Sequence, residues 1–182
     1  GMLVTEPPSG VGGDASDSLL HILCRQQEMT STSTPNLSTT NALLFEQVWN
    51  FLQQDEEENA LLPRILQMPD GQGNLPLHLA VQKDYLTTLL QAYPTALRHA
   101  NVRGELPLHV ALKRQHANTS TAAATIPVLW QADPSTLAVR DGVTGLYPYL
   151  LAATSHGVDG NMDDVTLSYQ ILSAAPEVLG RS

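Results

Sequence analysis

The sequence predicts an all-α fold, a solenoid of about four helix-turn-helix repeats joined by turn-bearing connectors. Three observations predict it. The octet Gly73-Asn74-Leu75-Pro76-Leu77-His78-Leu79-Ala80 recurs 31 residues later as Gly104-Glu105-Leu106-Pro107-Leu108-His109-Val110-Ala111, and self-similarity at a fixed step is the signature of stacked repeats. A second mark, Pro-x-x-Leu, recurs at Pro63, Pro94, Pro134 and Pro176, and the first three stand 10, 10 and 11 residues before Gly73, Gly104 and Gly145. Finally, 42% of the 182 residues are hydrophobic but only 5% are aromatic. Leu and Ala suit closely packed helices better than strands, which favour aromatic and β-branched side chains.

Each element follows from local chemistry. Residues 1–16 are rich in Gly, Pro and Ser and read as a flexible N-terminal segment, too poor in apolar side chains to offset the entropy of ordering. The repeat domain is expected over 17–182, with units at about 17–69, 70–100, 101–140 and 141–180. Asp17 or Ser18 caps a short helix carrying Leu19, Leu20, Ile22, Leu23 and Cys24. With one cysteine in the chain, no intrachain disulfide can form, and Cys24 reads as a buried inert thiol. Residues 28–40 are Ser/Thr-rich and read as a loop. Thr40 or Asn41 caps the next helix, whose Leu43, Leu44, Val48, Phe51 and Leu52 fall at helical spacing. Asp55-Glu56-Glu57-Glu58 then forms an acidic, solvated run.

From Pro63 onward the units share a grammar. Asp70, Asn101 and Asp141, each followed by Gly73, Gly104 or Gly145, mark a turn. Pro76 and Pro107 fit the first helical position, where no N–H bond is lost. A second helix follows, ended by Pro94, Pro134 or Pro176, and an extended connector leads to the next turn. Residues 81–85 pass almost directly from first helix to second. The same junction elsewhere holds 28–40, about 115–123 and about 155–163, so these insertions are expected on one face of the stack.

The pattern resembles the ankyrin repeat, whose signature is Asp or Asn, Gly, then Thr-Pro-Leu-His and Ala. Asp70, Gly73, Pro76, Leu77, His78 and Ala80 match it. So do Asn101, Gly104, Pro107, Leu108, His109 and Ala111. Asp141, Gly145, Pro148 and Ala152 form a weaker third copy, with Leu150 in place of His. Leu75 and Leu106 stand where the family has Thr, which removes a side-chain cap of about 1 kcal/mol. The resemblance implies stacked helix pairs that bind proteins through the turn tips and the exposed face of the first helices.

Charge narrows the function. Lys plus Arg number 9 and Asp plus Glu 18, a net −9, which opposes nucleic-acid binding. No stretch approaches the ~18 apolar residues of a membrane span, and no secretion signal is apparent at the start. An intracellular, cytoplasmic location is expected, with the nucleus as the alternative. Zn–N bonds are ~2 Å and packed helix axes lie ~8–10 Å apart. One metal therefore cannot join His78 to His109, and their ring nitrogens are expected to bond backbone, as are those of His21. His99, His116 and His156 are expected to be exposed. Asp159-Gly160-Asn161-Met162-Asp163-Asp164 imitates the start of a calcium loop, but Asp164 replaces its Gly and Gln170 its final Glu. Asp163 or Asp164 reads better as a helix cap. No phosphate loop, nucleophile elbow or His-Glu-x-x-His motif is present.

The expected function is a protein-binding scaffold without catalysis, cofactor or metal, acting as a monomer. Between Lys83 and Arg114 the chain is locally basic, so an acidic partner segment is expected there. Binding residues are expected at the tips, Gln72, Asn74, Arg103, Glu105, Val143 and Thr144, and on helices, Gln82, Lys83, Lys113 and Arg114. The rival reading is a ligand-binding or catalytic domain built from the inserted loops on the repeat scaffold.

Overall fold

The structure is a computed structural model. It describes residues 17–25, 36–53, 61–81, 85–114, 119–154 and 163–176, with backbone only for 36–41, 119–124 and 163–166. The described residues are all-helical. The α-helices are α1 (Leu19–Arg25), α2 (Asn36–Gln53), α3 (Leu61–Gln67), α4 (Pro76–Leu79), α5 (Leu86–Ala92), α6 (Pro107–Arg114), α7 (Thr119–Ala132), α8 (Pro148–Thr154) and α9 (Asp163–Ala174). Helix α1 packs on α4, α4 on α6 and α6 on α8, while α2, α5, α7 and α9 each pack on the helix preceding them. First helices thus form one row and each second helix backs its own first helix. No described helix is long and apolar enough to cross a membrane.

Proline places the starts. Pro76, Pro107 and Pro148 each open a helix, where a fixed φ is already helical and the missing N–H was an orphan. Leu75 carries no side-chain cap. Its own N–H instead donates to His78 Nδ1 at 3.1 Å, and that of Leu106 donates to His109 Nδ1 at 3.0 Å. A histidine three residues after each leucine supplies the acceptor at the helix start, which leaves Leu75 and Leu106 free to be buried in the core.

One core runs through the described units, built from leucines of every first helix with Leu86, Leu89, Ile126, Leu129 and Ile171 of the second helices. Phe45 stacks on Tyr85 at 4.0 Å and on Trp49 at 5.6 Å between ring centroids, closing the join between the first and second units. Cys24 is buried, as expected.

Three boundaries differ from the expected ones. Helix α2 begins at Asn36 and α7 at Thr119, so residues 36–40 and 119–123 of the anticipated loops are helix. Serine and threonine are weak helix formers, but packing of the downstream apolar face extends the helix through them. The connectors after Pro94 and Pro134 are not extended. Pro94–Arg98 and Pro134–Ala138 each wind into a 3₁₀ turn, and the equivalent Pro63 lies inside α3. Burial of Leu66, Leu97 and Leu137, the last residue of each Pro-x-x-Leu mark, explains the compaction. Pro127 sits within α7, where it removes one ladder bond, a feature the register did not mark. Helix α9 starts at Asp163, so Asp163 and Asp164 are its first two residues rather than its cap. The rest of the calcium-like segment, the segment 1–16 expected to be flexible, the acidic run 55–58, His116 and His156 lie outside the described residues.

Candidate functional site

The turns are built by their first residue. Asp70 Oδ1 accepts the N–H groups of Gln72 and Asn74, both at 2.8 Å. Asn101 Oδ1 does the same for Arg103 and Glu105 at 2.9 and 3.0 Å. Asp141 Oδ2 accepts from the N–H and the hydroxyl of Thr144 at 2.7 and 2.6 Å. Gly73, Gly104 and Gly145 take φ of 74°, 74° and 71°, which glycine adopts without a Cβ clash.

Successive turns are tied to each other. Val102 N–H donates to the Gln72 carbonyl at 3.0 Å and Gly142 N–H to the Gly104 carbonyl at 3.1 Å. The histidines add a second tie. In each ring Nδ1 accepts a backbone N–H, so Nε2 carries the proton and donates onward. His21 donates to the Asn74 carbonyl at 2.8 Å, His78 to that of Glu105 at 3.2 Å and His109 to that of Val139 at 3.2 Å. Both nitrogens of each ring are therefore occupied by backbone. Burial disfavours the charged ring and lowers the His78 pKa to about 4. It lowers that of His109 as well. His99 is half-buried rather than exposed, its Nε2 reaching back to the Gly73 carbonyl at 3.2 Å. No group of three or more His, Cys, Asp or Glu among the described residues is arranged to hold a metal ion.

A groove of about 650 Å³ crosses these turns. It is lined by Gln72, Asn74, Arg103, Glu105, Lys113, Arg114, Val143 and Thr144, together with Arg25, Leu79 and Val110. Eight of the ten positions expected to bind a partner thus converge on one groove. The other two, Gln82 and Lys83, are the register mates of Lys113 and Arg114 and lie outside the described residues. Leu79 and Val110 supply an apolar floor. They were passed over because they read as core, although their shared octet position placed them on the first-helix face. Arg25 was missed because the first unit lacks the octet's Pro and Gly.

Two of the eight do not play the expected part. Asn74 is 6% exposed and Glu105 2%, so neither projects as a tip. They belong to a polar chain beneath the groove. Asp17 and Asp70 hold Arg25 at 2.6 and 3.0 Å, and Asn74 donates to Asp70 at 3.1 Å. Asn101 Nδ2 bonds Asn74 Oδ1 and Glu105 Oε2, both at 2.9 Å. Lys113 then bridges Glu105 at 2.5 Å and Asp141 at 2.7 Å. Burial of these carboxylates is offset by five donor groups that converge on Glu105 and Asp141. Burial opposes both charges, but the Lys113, Asn101 and Thr144 hydrogen bonds outweigh it. The Glu105 pKa is lowered and that of Asp141 falls to about 2. Asp70 is lowered likewise, hydrogen bonds from Asn74 and Gln72 prevailing over burial.

This chain corrects the basic-patch expectation. The four cations of the groove wall, Arg25, Arg103, Lys113 and Arg114, stand beside four carboxylates, Asp17, Asp70, Glu105 and Asp141, so the formal sum is zero. What remains is an asymmetry of access. Asp70, Glu105 and Asp141 are buried and Asp17 nearly so, whereas the Arg103 side chain is 59% exposed and commits only Nε, to Glu105 at 2.8 Å. Its two terminal amino groups have no partner among the described residues. The groove therefore offers hydrogen-bond donors at contact range over an apolar floor, without a strong long-range field.

Comparison of the chain with protein-family models, with curated proteins and with solved structures finds no match in any of the three.

Proposed function

We propose that the chain is a non-catalytic protein-interaction module, an ankyrin-like array of four repeats that holds a segment of a partner protein in the groove across its turns. The observation that carries this reading is the convergence of Gln72, Arg103, Val143 and Thr144, register-equivalent or neighbouring turn positions, on one groove with Leu79 and Val110 as its floor. An apolar centre with a polar, donor-rich rim is the anatomy of a protein interface. The braced turns beneath it favour binding, because an ordered surface loses little entropy on association. An acidic residue of the partner fits the free face of Arg103, where a carboxylate accepts two parallel N–H bonds. Because the groove sums to zero charge, Arg103 contributes specificity at contact rather than steering from a distance.

The test is comparative affinity capture from cells. The intact chain and an Arg103→Ala/Val143→Asp variant serve as baits, with Gln170→Ala on α9 as a control away from the groove. The expected result is a protein retained by the intact chain and the control and lost from the groove variant. Capture indifferent to the groove substitutions would refute the reading. No observation favours the rival based on the inserted loops, whose residues 28–35, 115–118 and 155–162 lie outside the described ones.

A further inference from the structure

We infer that one occupant of the groove is the acidic run Asp55-Glu56-Glu57-Glu58 of a second copy of this chain, so that copies associate head to tail. The inference rests on the groove being a protein-docking site and names an occupant for it. The chain carries its anionic charge unevenly. Four consecutive carboxylates at 55–58 form its densest charged run, and the accessible charges of the groove wall are cationic. The two are complementary within one sequence.

The described residues on either side of the run are exposed. Phe51, near the end of α2, is 64% exposed, and Leu61, the first residue of α3, is 42% exposed. In the sequence the run thus stands between two apolar side chains that face outward. That is the pattern the groove calls for: carboxylates for the terminal nitrogens of Arg103, and an adjacent apolar group for the floor at Leu79 and Val110. Carboxylate pairing with an arginine fork is bidentate and strongest where one partner is already held in place, as Glu105 holds Arg103 through Nε. The run and the groove are different surfaces, so the contact is heterologous and extends into open chains of copies unless its rotation closes. Each copy carries −9, but beyond ~8 Å that repulsion is screened at physiological salt, leaving the local pairing to decide.

Sedimentation of the full chain over a concentration series tests this. The expected result is a mass that rises above the monomer, with an association weakened at least about tenfold between low and high salt, since exposed pairs are screened. Neutralising the run (Asp55→Asn, Glu56→Gln, Glu57→Gln, Glu58→Gln) abolishes association. So does altering the groove with Arg103→Ala/Val143→Asp. An equimolar mixture of the two variants recovers a 1:1 complex, because one supplies an intact groove and the other an intact run. A labelled peptide of residues 54–62 binds the neutralised-run variant, and its all-amide version does not. That measurement stands even if the groove variant fails to fold. A wild-type chain that stays monomeric, a mixture that stays dissociated, or a peptide that binds equally in both forms overturns the inference. A monomer that still captures another protein through the groove overturns this inference alone and leaves the docking function standing.

Discussion

Replacing Glu105 with alanine separates a braced turn from an exposed tip. In the structure the carboxylate accepts from Lys113 Nζ at 2.5 Å, Arg103 Nε at 2.8 Å and Asn101 Nδ2 at 2.9 Å. Hydrogen bonds to charged groups contribute about 1.5–3 kcal/mol each when buried, but Arg103 and Lys113 reach water. Lys113 also keeps Asp141, so most of those two terms is recovered by solvent and by the remaining partner. Asn101 is buried and is left with an unmet donor, which costs about 1–3 kcal/mol. The expected loss is therefore about 2–3 kcal/mol in urea unfolding followed by circular dichroism, with Glu105→Gln losing about half as much. Gln72→Ala, an exposed turn position, is the control and stays within about 0.5 kcal/mol. A Glu105→Ala midpoint that matches the control would refute the buried network and restore Glu105 to the partner surface.

Other expectations test the same architecture. Stability falls as pH drops in two stages. His78 has a folded pKa of about 4 against 6.5 unfolded, so the unfolded chain binds the extra proton and stability is lost between those values. Asp141, at about 2 against 3.8, adds a second loss below pH 4. A pH titration of the unfolding midpoint that is flat from pH 7 to 4 contradicts the neutral, backbone-bonded ring. Glycine scanning discriminates crowding from conformation. A Cβ on Gly142 meets the Arg103 carbonyl oxygen at a distance no atoms tolerate, whereas one on Gly145 meets nothing within 4 Å. Gly145→Ala is thus expected to cost only the left-handed φ, about 1–2 kcal/mol, and Gly142→Ala more, with thermal unfolding as the readout. His78→Ala loses the bonds from Leu75 N–H and to the Glu105 carbonyl and opens a buried cavity, for about 3 kcal/mol or more. A tolerated alanine there would mean that the ring does not link the units.

The elements legible in the sequence were those whose cause is local. Pro76, Pro107 and Pro148 start helices because of their own ring, and Gly73, Gly104 and Gly145 turn the chain because they lack a Cβ. The histidine braces were legible because the same residue recurs at the same offset from the turn. Helix extents were less so, since α2 and α7 run back through serine and threonine on the strength of packing supplied far downstream. The candidate site followed the same division. Register found Gln72, Arg103, Val143 and Thr144, because any residue in those turn positions faces the groove. It misjudged Asn74 and Glu105, whose polarity suggested solvent. Asn74 is held by Asn101, 27 residues away, and Glu105 by Lys113, which is itself tied to Asp141 28 residues further on; no local pattern announces these links. Arg25 escaped it because the first unit lacks the octet's Pro and Gly.

The most direct test of the docking reading places a photo-reactive amino acid at Val143, in the groove, and in a parallel chain at Gln170, on α9. Each intact chain is irradiated in cells. The account predicts a discrete protein crosslink from position 143 that is absent from position 170. No crosslink at 143, or the same products from both positions, would contradict it.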